Sequence, residues 1–339
     1  MTETQHNSTG STILGAAACL VIIIAGLKNA QDVVVPFLLA TFIAILCLPV
    51  LNWLEKRHIP TAINILLVIS ASIAVGLLLA LFIGTSVHDF SLKIPTYQNQ
   101  LRAETSSLFL WLHNYGIQLS PQVMLEYFDP SAAMKVAGNT LTGLGSVLTD
   151  GFLILLTVIF ILFEASAMPA KLQQALHNPE HSFNQFSRIT RSVQSYLVIK
   201  TAVSLLTGFS VAILLALLDI DYPLVWGLLA FMLNYVPNIG SIIAVIPPML
   251  LAIVQHGITQ ALLVILGYVI INIVVGNIIE PRYMGKRLGL SPLVVLLSLI
   301  LWGWVLGPVG MLLSVPLTMI VKIALEATDD LRWIAILLG

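Results

Sequence analysis

The chain has 339 residues, of which 58% are hydrophobic and 9% are charged, and its formal net charge is −1. Soluble domains carry about 25% charged residues, so this composition excludes an ordinary soluble domain. The balanced charge excludes a polybasic nucleic-acid-binding protein. Apolar runs of about 18 residues or more recur along the chain, as expected for helices that cross a hydrocarbon core about 30 Å thick. The predicted fold class is therefore an all-α polytopic membrane protein.

The first three predicted spans lie near 13–27, 33–51 and 60–84, so residues 1–84 are predicted to form N-terminal membrane helices. The opening dozen residues lack the basic segment of a cleaved signal peptide, and we expect the first apolar run to be retained as a span. Cys19 and Cys47 lie in apolar runs without metal-ligand spacing, which is typical of packing residues.

The next segment, residues 85–146, is polar enough to leave the membrane yet keeps a helical pattern. Aromatic and leucine residues recur at helical spacing between Tyr97 and Tyr115. Ser120-Pro121 and Asp129-Pro130 each resemble an N-cap followed by a proline in the first helical turn. These patterns predict a small extramembrane helical segment, or helices that lie on the membrane surface.

Residues 147–339 are predicted to form the membrane transport core. Its spans are expected near 147–163, 201–218, 222–236, 242–255 and 258–276, with a broken run over 292–325. The whole chain therefore has about seven to nine apolar spanning segments, two of which are hairpins broken by proline and glycine.

The distribution of basic residues predicts the orientation. If the N-terminus is cytoplasmic and the spans alternate, 11 Lys and Arg residues lie inside and 4 lie outside. The positive-inside rule favours this arrangement over its inverse. We therefore expect both termini in the cytoplasm and residues 85–146 on the outer side.

Motifs for catalysis are missing from the sequence. The seven histidines include no pair at HExxH spacing, and there is no Walker-type glycine-lysine loop. The sequence therefore predicts no enzyme activity, no cofactor and no metal site.

Two similar interruptions of the apolar pattern carry the functional signal. The first is "PNIGSIIAVIP" at 237–247 and the second is "GPVGMLLSVP" at 307–316, and each follows a Trp-Gly pair. Paired segments broken by glycine and proline indicate a transporter's binding site, because unwound backbone at membrane depth needs surrounding protein or a watery cavity. The alternative is that each break is a tight turn at the membrane interface.

A helix with a polar face lies between the two breaks. Asn272 and Glu280 fall on one helical stripe, which suits a bundle interior or a substrate path. Pro281 is expected to end this helix at Glu280, leaving Glu280 to pair with Arg282 or Arg287 at the interface.

Two other charged residues lie at the ends of apolar runs. Glu164 and Lys200 are both within reach of the cytoplasmic surface if their side chains extend toward it. They could also pair with each other, which would be a structural role.

The residues predicted to line the path combine amides, broken backbone and aromatic side chains. Asparagine amides and freed carbonyls suit hydroxyl groups, and the tryptophans and the tyrosine could stack on an apolar ring face or anchor the membrane interface. The predicted substrate path comprises Trp226, Asn234, Tyr235, Pro237, Asn238, Gly240, Asn272, Asn277, Glu280, Trp302, Gly307, Pro308 and Gly310.

The stretches "VWGLLAFMLNYVPNIGSIIAVIPP", "GNIIEPRYMGKRLGLSPLVVLLSLILWGWVLGPVGMLLSVPLT" and "VQSYLVIKT" closely resemble the autoinducer-2 exporter family. The resemblance covers nearly the whole chain and is densest over about 193–326. The family's proline-glycine segment corresponds to Pro237–Gly240, its Asn-x-x-Glu-Pro element to Asn277–Pro281, and its Gly-Pro-x-Gly element to Gly307–Gly310.

The resemblance implies a secondary transporter that exports the small furanone-type signal autoinducer-2 across the bacterial inner membrane, driven by a proton or sodium gradient. It also implies a homo-oligomer, with the pentamer as the candidate form. Because some relatives are linked to ion exchange, an alternative is a sodium or lithium/proton antiporter in which Glu280 titrates. A third interpretation is a non-transporting membrane scaffold that presents residues 85–146 to partners.

Overall fold

The computed structural model describes residues 9–114, 138–139, 151–175, 179–237, 239–284, 289–327 and 331–339. The elements in these ranges are all helical. In chain order they are α1 (Thr9–Asn29), α2 (Gln31–Glu55), α3 (Thr61–Asn114), α4 (Gly151–Ala175), α5 (Pro179–Leu217), α6 (Pro223–Leu233), α7 (Ile239–His256), α8 (Ile258–Ile271), a π-helix (Asn272–Ile279), α9 (Glu280–Met284), α10 (Pro292–Leu312), α11 (Ser314–Glu326) and α12 (Arg332–Leu337).

The described helices have the length and surface of a membrane protein. Six of the described segments are long and apolar enough to span a bilayer, and Gly151–Ala165 and Pro223–Leu233 are shorter apolar helices. Large apolar side chains face outward along the spans, as at Leu78, which is 67% exposed, whereas the cationic side chain of Lys200 is buried. Lipid tails accept such an exterior, and the predicted polytopic helical fold is confirmed.

Helix α3 has 54 residues, and at about 1.5 Å per residue it is roughly 80 Å long. That length is far greater than the hydrocarbon core, which is about 30 Å thick. The division predicted between residues 84 and 85 therefore falls inside one continuous helix. The predicted caps at Ser120 and Asp129 lie outside the described residues.

Helices α6 and α7 form a hairpin, called here the first hairpin, whose two ends lie together at the C-terminal end of α5. The Gln260 side chain donates to the Leu218 carbonyl at 3.0 Å, and the backbone N–H of Asp221 donates to the Gln255 side chain at 3.2 Å. Because these contacts join the start of α6 to the end of α7, the chain enters and leaves on the same side. Helix α6 has 11 residues, about 16 Å.

Helices α10 and α11 form the second hairpin, which opens toward the opposite side. Gly307 has φ 67° and ψ −154° and ends the regular part of α10, and the Trp302 indole donates to Thr318 across the hairpin at 3.0 Å. At the open end, Arg188 near the start of α5 pairs with Glu326 at 2.9 Å. The two hairpins therefore approach the long helix α5 from opposite ends.

Each hairpin reverses around a glycine that has no room for a side chain. A Cβ on Gly240 would overlap the Leu233 carbonyl oxygen, and one on Gly310 would overlap the Trp302 carbonyl oxygen. Both contacts are with backbone, so neither can be relieved by a side-chain rotation. These glycines allow the chain to fold back on itself inside an apolar bundle.

The helix that begins at Ile258 does not end at Glu280, so that prediction is wrong. Glu280 has helical φ and ψ of −54° and −49°, and its backbone N–H donates to the Val275 carbonyl, five residues back. This π-helical turn leads into α9, where Pro281 occupies the first turn. A proline is tolerated there because its missing N–H would have no partner within the new helix.

Helices α5 and α6 pack through a close glycine contact that a single methyl group should disrupt. A Cβ on Gly227 would lie 2.6 Å from the Gly208 carbonyl oxygen, so Gly227→Ala forces the helices apart. We expect a fall in the melting temperature of the purified protein, measured by intrinsic fluorescence. Gly76→Ala is the control, because its Cβ meets nothing within 4 Å and alanine is the better helix former. Equal melting temperatures for the two variants would contradict this packing.

Candidate functional site

A polar stripe runs along the buried face of α5. It consists of Lys200, Thr201, Ser204 and Thr207, whose spacing places them on one side of an α-helix. Lys200, Ser204 and Thr207 are all buried, although they lie within the apolar span Ser187–Leu217. Polar side chains inside a membrane bundle need partners, and the neighbouring elements supply them.

The strongest of these contacts is a buried ion pair. Lys200 Nζ lies 2.6 Å from Glu280 Oε1, and the two side chains are 4% and 18% exposed. Removing one partner from such a pair leaves a buried charge without compensation, at a cost of about 3–5 kcal/mol. The pair therefore fixes the junction of the π-helix and α9 against the centre of α5.

Neither a Glu280–Arg282 pair nor a Glu164–Lys200 pair forms among the described residues. Glu280 pairs with Lys200 rather than with Arg282, and Arg287 lies outside the described residues. Glu164 pairs with Lys171 on its own helix at 2.6 Å, and Lys200 is buried rather than extended to the surface. Lys200 and Glu280 are 80 residues apart, so no local spacing rule could join them.

The tip of the first hairpin docks on the polar stripe. The Asn234 amide donates to Ser204 Oγ at 2.9 Å, and the hydroxyls of Tyr235 and Thr201 lie 2.6 Å apart. About 20 Å of helix separates Ser204 from the end of α5 at Leu217. The tip therefore lies deep in the span, and Pro237 and Gly240 form its turn, while Asn238 lies outside the described residues.

The tip of the second hairpin packs on α5 just before Lys200. Val305, Leu306 and Leu313 share one buried cluster with Val193 and Leu197 of α5. Gly307, Pro308 and Gly310 make the turn of this hairpin. The two tips therefore flank the Lys200–Glu280 pair from opposite directions.

Asn234 and Asn272, both predicted for the path, line one small cavity beside the stripe. Thr207, Tyr268 and Ser241 add hydroxyl groups to its wall. The sequence prediction omitted Thr207 and Tyr268. The signal was present, because Thr207 lies seven residues after Lys200 and Tyr268 lies four before Asn272, the intervals that return to one helical face.

Other predicted residues lie elsewhere in the bundle. Trp226 is fully buried, and its indole donates to the Asp221 carbonyl at 3.0 Å at the open end of the first hairpin. Trp302 bonds Thr318 within the second hairpin. Asn277 is on the exposed side of the π-helix, so it is not brought together with Asn272.

Asp221, in the loop before α6, joins α3 to the open end of the first hairpin. Its carboxylate accepts hydrogen bonds from Lys93 at 2.9 Å and from the Tyr97 hydroxyl at 2.5 Å. Partial burial raises the pKa of Asp221, but these two hydrogen bonds, the Lys93 charge and Gln255 together outweigh burial and hold the pKa below its usual range. The contacts fasten the long helix α3 to the first hairpin.

Helical hairpins that end inside a bundle, with polar groups at their tips, are a feature of secondary transporters. The chain matches the sequence profile of the AI-2E family transporter over residues 17–330, and it belongs to that family. It is 44% identical over 330 residues to the AI-2 transport protein TqsA of Escherichia coli K12, covering 97% of this chain and 96% of the relative.

Two further relatives extend the likeness over the same length. The chain is 43% identical over 334 residues to a putative transport protein of Haemophilus influenzae, covering 97% of this chain and 96% of that protein. It is 40% identical over 344 residues to the putative transport protein YhhT of Escherichia coli K12, covering 100% and 97% of the two chains. The protein is thus a multi-pass membrane protein of a transporter family.

Breaking the buried ion pair should destabilise the protein strongly. We expect Glu280→Gln to lower the free energy of unfolding by about 3 kcal/mol or more, because it leaves Lys200 buried without a counter-charge. Adding Lys200→Met to Glu280→Gln should recover much of that loss. Denaturant unfolding in detergent provides the measurement.

The matched control is Glu164→Gln, which breaks the exposed pair with Lys171. Exposed pairs contribute about 0–1 kcal/mol, so this variant should resemble the wild type. A double variant no more stable than Glu280→Gln alone would contradict the proposed charge compensation.

The thermal stability of the protein should depend on pH because of Asp221. The pKa of Asp221 in the folded protein lies below the unfolded value of about 3.9. Its ionised carboxylate therefore contributes its full stabilisation of the fold above about pH 3.9, and this stabilisation is lost as the pH falls through the folded pKa. Asp221→Asn should therefore lower the melting temperature near neutral pH, and the difference should shrink as the pH falls below about 4.

Asp219→Asn removes the same charge two residues away and serves as the control. Asp219 is exposed and has φ 56°, a conformation that asparagine accepts. A melting-temperature difference for Asp221→Asn that is the same at every pH would contradict the role of its ionisation.

Proposed function

We propose that the chain exports the signal autoinducer-2, a small polar and largely uncharged solute, across the bacterial inner membrane. The observation that carries the proposal is the docking of the first hairpin's tip on the polar stripe of α5, while the second hairpin's tip packs on the same helix just before Lys200. The choice of substrate is supported by the relative TqsA, an AI-2 transport protein that is 44% identical over 97% of this chain.

The groups around the tips suit an uncharged solute. Thr201, Ser204, Asn234 and Asn272 offer neutral donors and acceptors, and the only described ion pair beside them is closed on itself. A charged solute would have to leave water and compete for Lys200 or Glu280, whose separation is costly. Hydroxyl and carbonyl groups exchange water for these side chains at little cost.

The two hairpins provide the means of alternating access. The tip of the first hairpin contacts α5 at Thr201 and Ser204, and the tip of the second packs in the apolar cluster around Val193. The two hairpins open toward opposite sides of the membrane. Movement of the first tip away from Ser204 exposes the stripe to the outer side, and movement of the second tip exposes it to the cytoplasm. The Lys200–Glu280 pair lies between the tips and keeps the two halves of the path separate.

The proposal also includes the orientation of the chain in the membrane. With both termini in the cytoplasm, the first hairpin and the long end of α3 face outward, and the second hairpin faces inward. Residues 85–146 then form the extramembrane segment, and residues 147–339 form the transport core. A homo-oligomer, with the pentamer as its candidate form, completes the assembly.

Reconstituted vesicles loaded with autoinducer-2 test the function. We expect protein-dependent efflux, reduced about tenfold by Asn234→Ala because that change removes an amide from the tip and leaves Ser204 without its partner. Asn52→Ala, at an exposed position of α2, is the matched control and should transport as the wild type does. Efflux no faster than from loaded vesicles that lack the protein would overturn the proposal.

The same vesicles distinguish the antiporter alternative. An internal pH dye reports proton movement when sodium or lithium is added outside, and replacing sodium by choline reveals any sodium requirement of efflux. If sodium drives a pH change that Glu280→Gln abolishes, and no autoinducer-2 leaves the vesicles, the antiporter is favoured. A scaffold would produce neither the pH change nor autoinducer-2 efflux.

A further inference from the structure

The cavity beside the polar stripe contains a buried hydroxyl without a hydrogen-bond partner. Tyr268 is 6% exposed, its side chain lines the cavity, and its hydroxyl has no partner among the described residues. A buried polar group left unpaired is costly and rare in folded proteins. The hydroxyl is therefore positioned to bond something that enters the cavity.

The cavity lies at the depth expected for a transported solute. Tyr268 is about 15 Å of helix from the start of α8 at Ile258, and Thr207 is about 15 Å from the end of α5 at Leu217. Both distances are half of the hydrocarbon thickness of about 30 Å. Substrate sites of secondary transporters lie near this midplane.

The size of the cavity limits what can occupy it in this conformation. It leaves about 10 Å³ for the centre of a water molecule, which is about the space for one water or one hydroxyl group. Its remaining wall is apolar, formed by Val211, Ala230, Ala244 and Ile271. One hydroxyl attached to an apolar part of a solute fits this combination.

The polar groups on the wall are complementary to a hydroxyl. The Asn234 amide nitrogen donates to Ser204, so the amide oxygen of Asn234 can accept a hydrogen bond. The Thr207 hydroxyl donates to the Val203 carbonyl, so the lone pairs of the Thr207 oxygen can also accept one. Tyr268 supplies an O–H donor. A solute hydroxyl can donate to one of these oxygens and accept from Tyr268 at the same time.

A cation is a poorer occupant of the same space. None of the described residues that line the cavity is charged, so a bare cation would lose its hydration without a counter-charge. The nearest carboxylate along this helix, Glu280, lies two turns beyond Asn272 and is paired with Lys200. The lining thus selects a neutral hydroxyl over sodium.

We infer that this cavity is a subsite for one hydroxyl of the transported uncharged solute and that Tyr268 is a specificity-determining residue within it. The inference rests on the proposed function, because it assigns part of the solute to a place in the path.

The test compares Tyr268→Phe, Thr207→Val and wild type in efflux assays with autoinducer-2, in sodium and in choline buffers. Each variant removes one hydroxyl at nearly constant shape. We expect each to raise KM about two- to tenfold, the effect of one neutral hydrogen bond, with an unchanged maximal rate. Tyr283→Phe, which removes an exposed tyrosine hydroxyl, is the control and should not change KM.

The melting temperature in detergent without solute is the second readout. Tyr268→Phe should leave it unchanged or raise it, because the hydroxyl has no protein partner to lose, whereas a structural hydroxyl would lower it. Unaltered KM in Tyr268→Phe, a lowered melting temperature, or an effect seen only in sodium buffer would each overturn the subsite. Absence of wild-type efflux would instead overturn the proposed function itself.

Discussion

The ion pair between Lys200 and Glu280 is the constraint on which the rest of the core depends. Each charge taken from water into a bundle costs several kcal/mol, and only a close partner recovers that cost. At 2.6 Å the two side chains are in direct contact, so α5 and the start of α9 can move relative to each other only if this contact breaks. The other elements are arranged around this fixed point.

The hairpins follow from that arrangement. A chain that reverses inside an apolar bundle must satisfy its own backbone groups, and here the reversals are compact because Gly240 and Gly310 let backbone touch backbone. The tip of the first hairpin then reaches Thr201, which directly follows Lys200, and Ser204, which lies one turn beyond it. Proline and glycine at these positions therefore form chain reversals that pack against α5 within the bundle.

The sequence predicted the features that depend on local chemistry. Proline and glycine inside apolar runs located both hairpin turns, and the helical stripe of Asn272 and Glu280 identified a polar face. The partner of Lys200 could not be predicted, because several charges were equally close to the interface in sequence and the true partner is 80 residues away. The rule that a helix ends before proline failed at Pro281 because a π-helical turn precedes it. That turn also changes the helical phase, and Asn277 lies on the exposed side.

The central claim is that the tip of the first hairpin reaches the polar stripe deep in the membrane. Ser204→Cys combined with Asn234→Cys, in a chain whose Cys19 and Cys47 are replaced, tests it by cross-linking in native membranes with a short thiol-reactive reagent. The observed contact of 2.9 Å between the native side chains predicts an efficient cross-link within one chain. No cross-link, together with labelling of the Asn234→Cys thiol as fast as that of a surface thiol at Asp219→Cys, would place the tip at the interface and contradict the account.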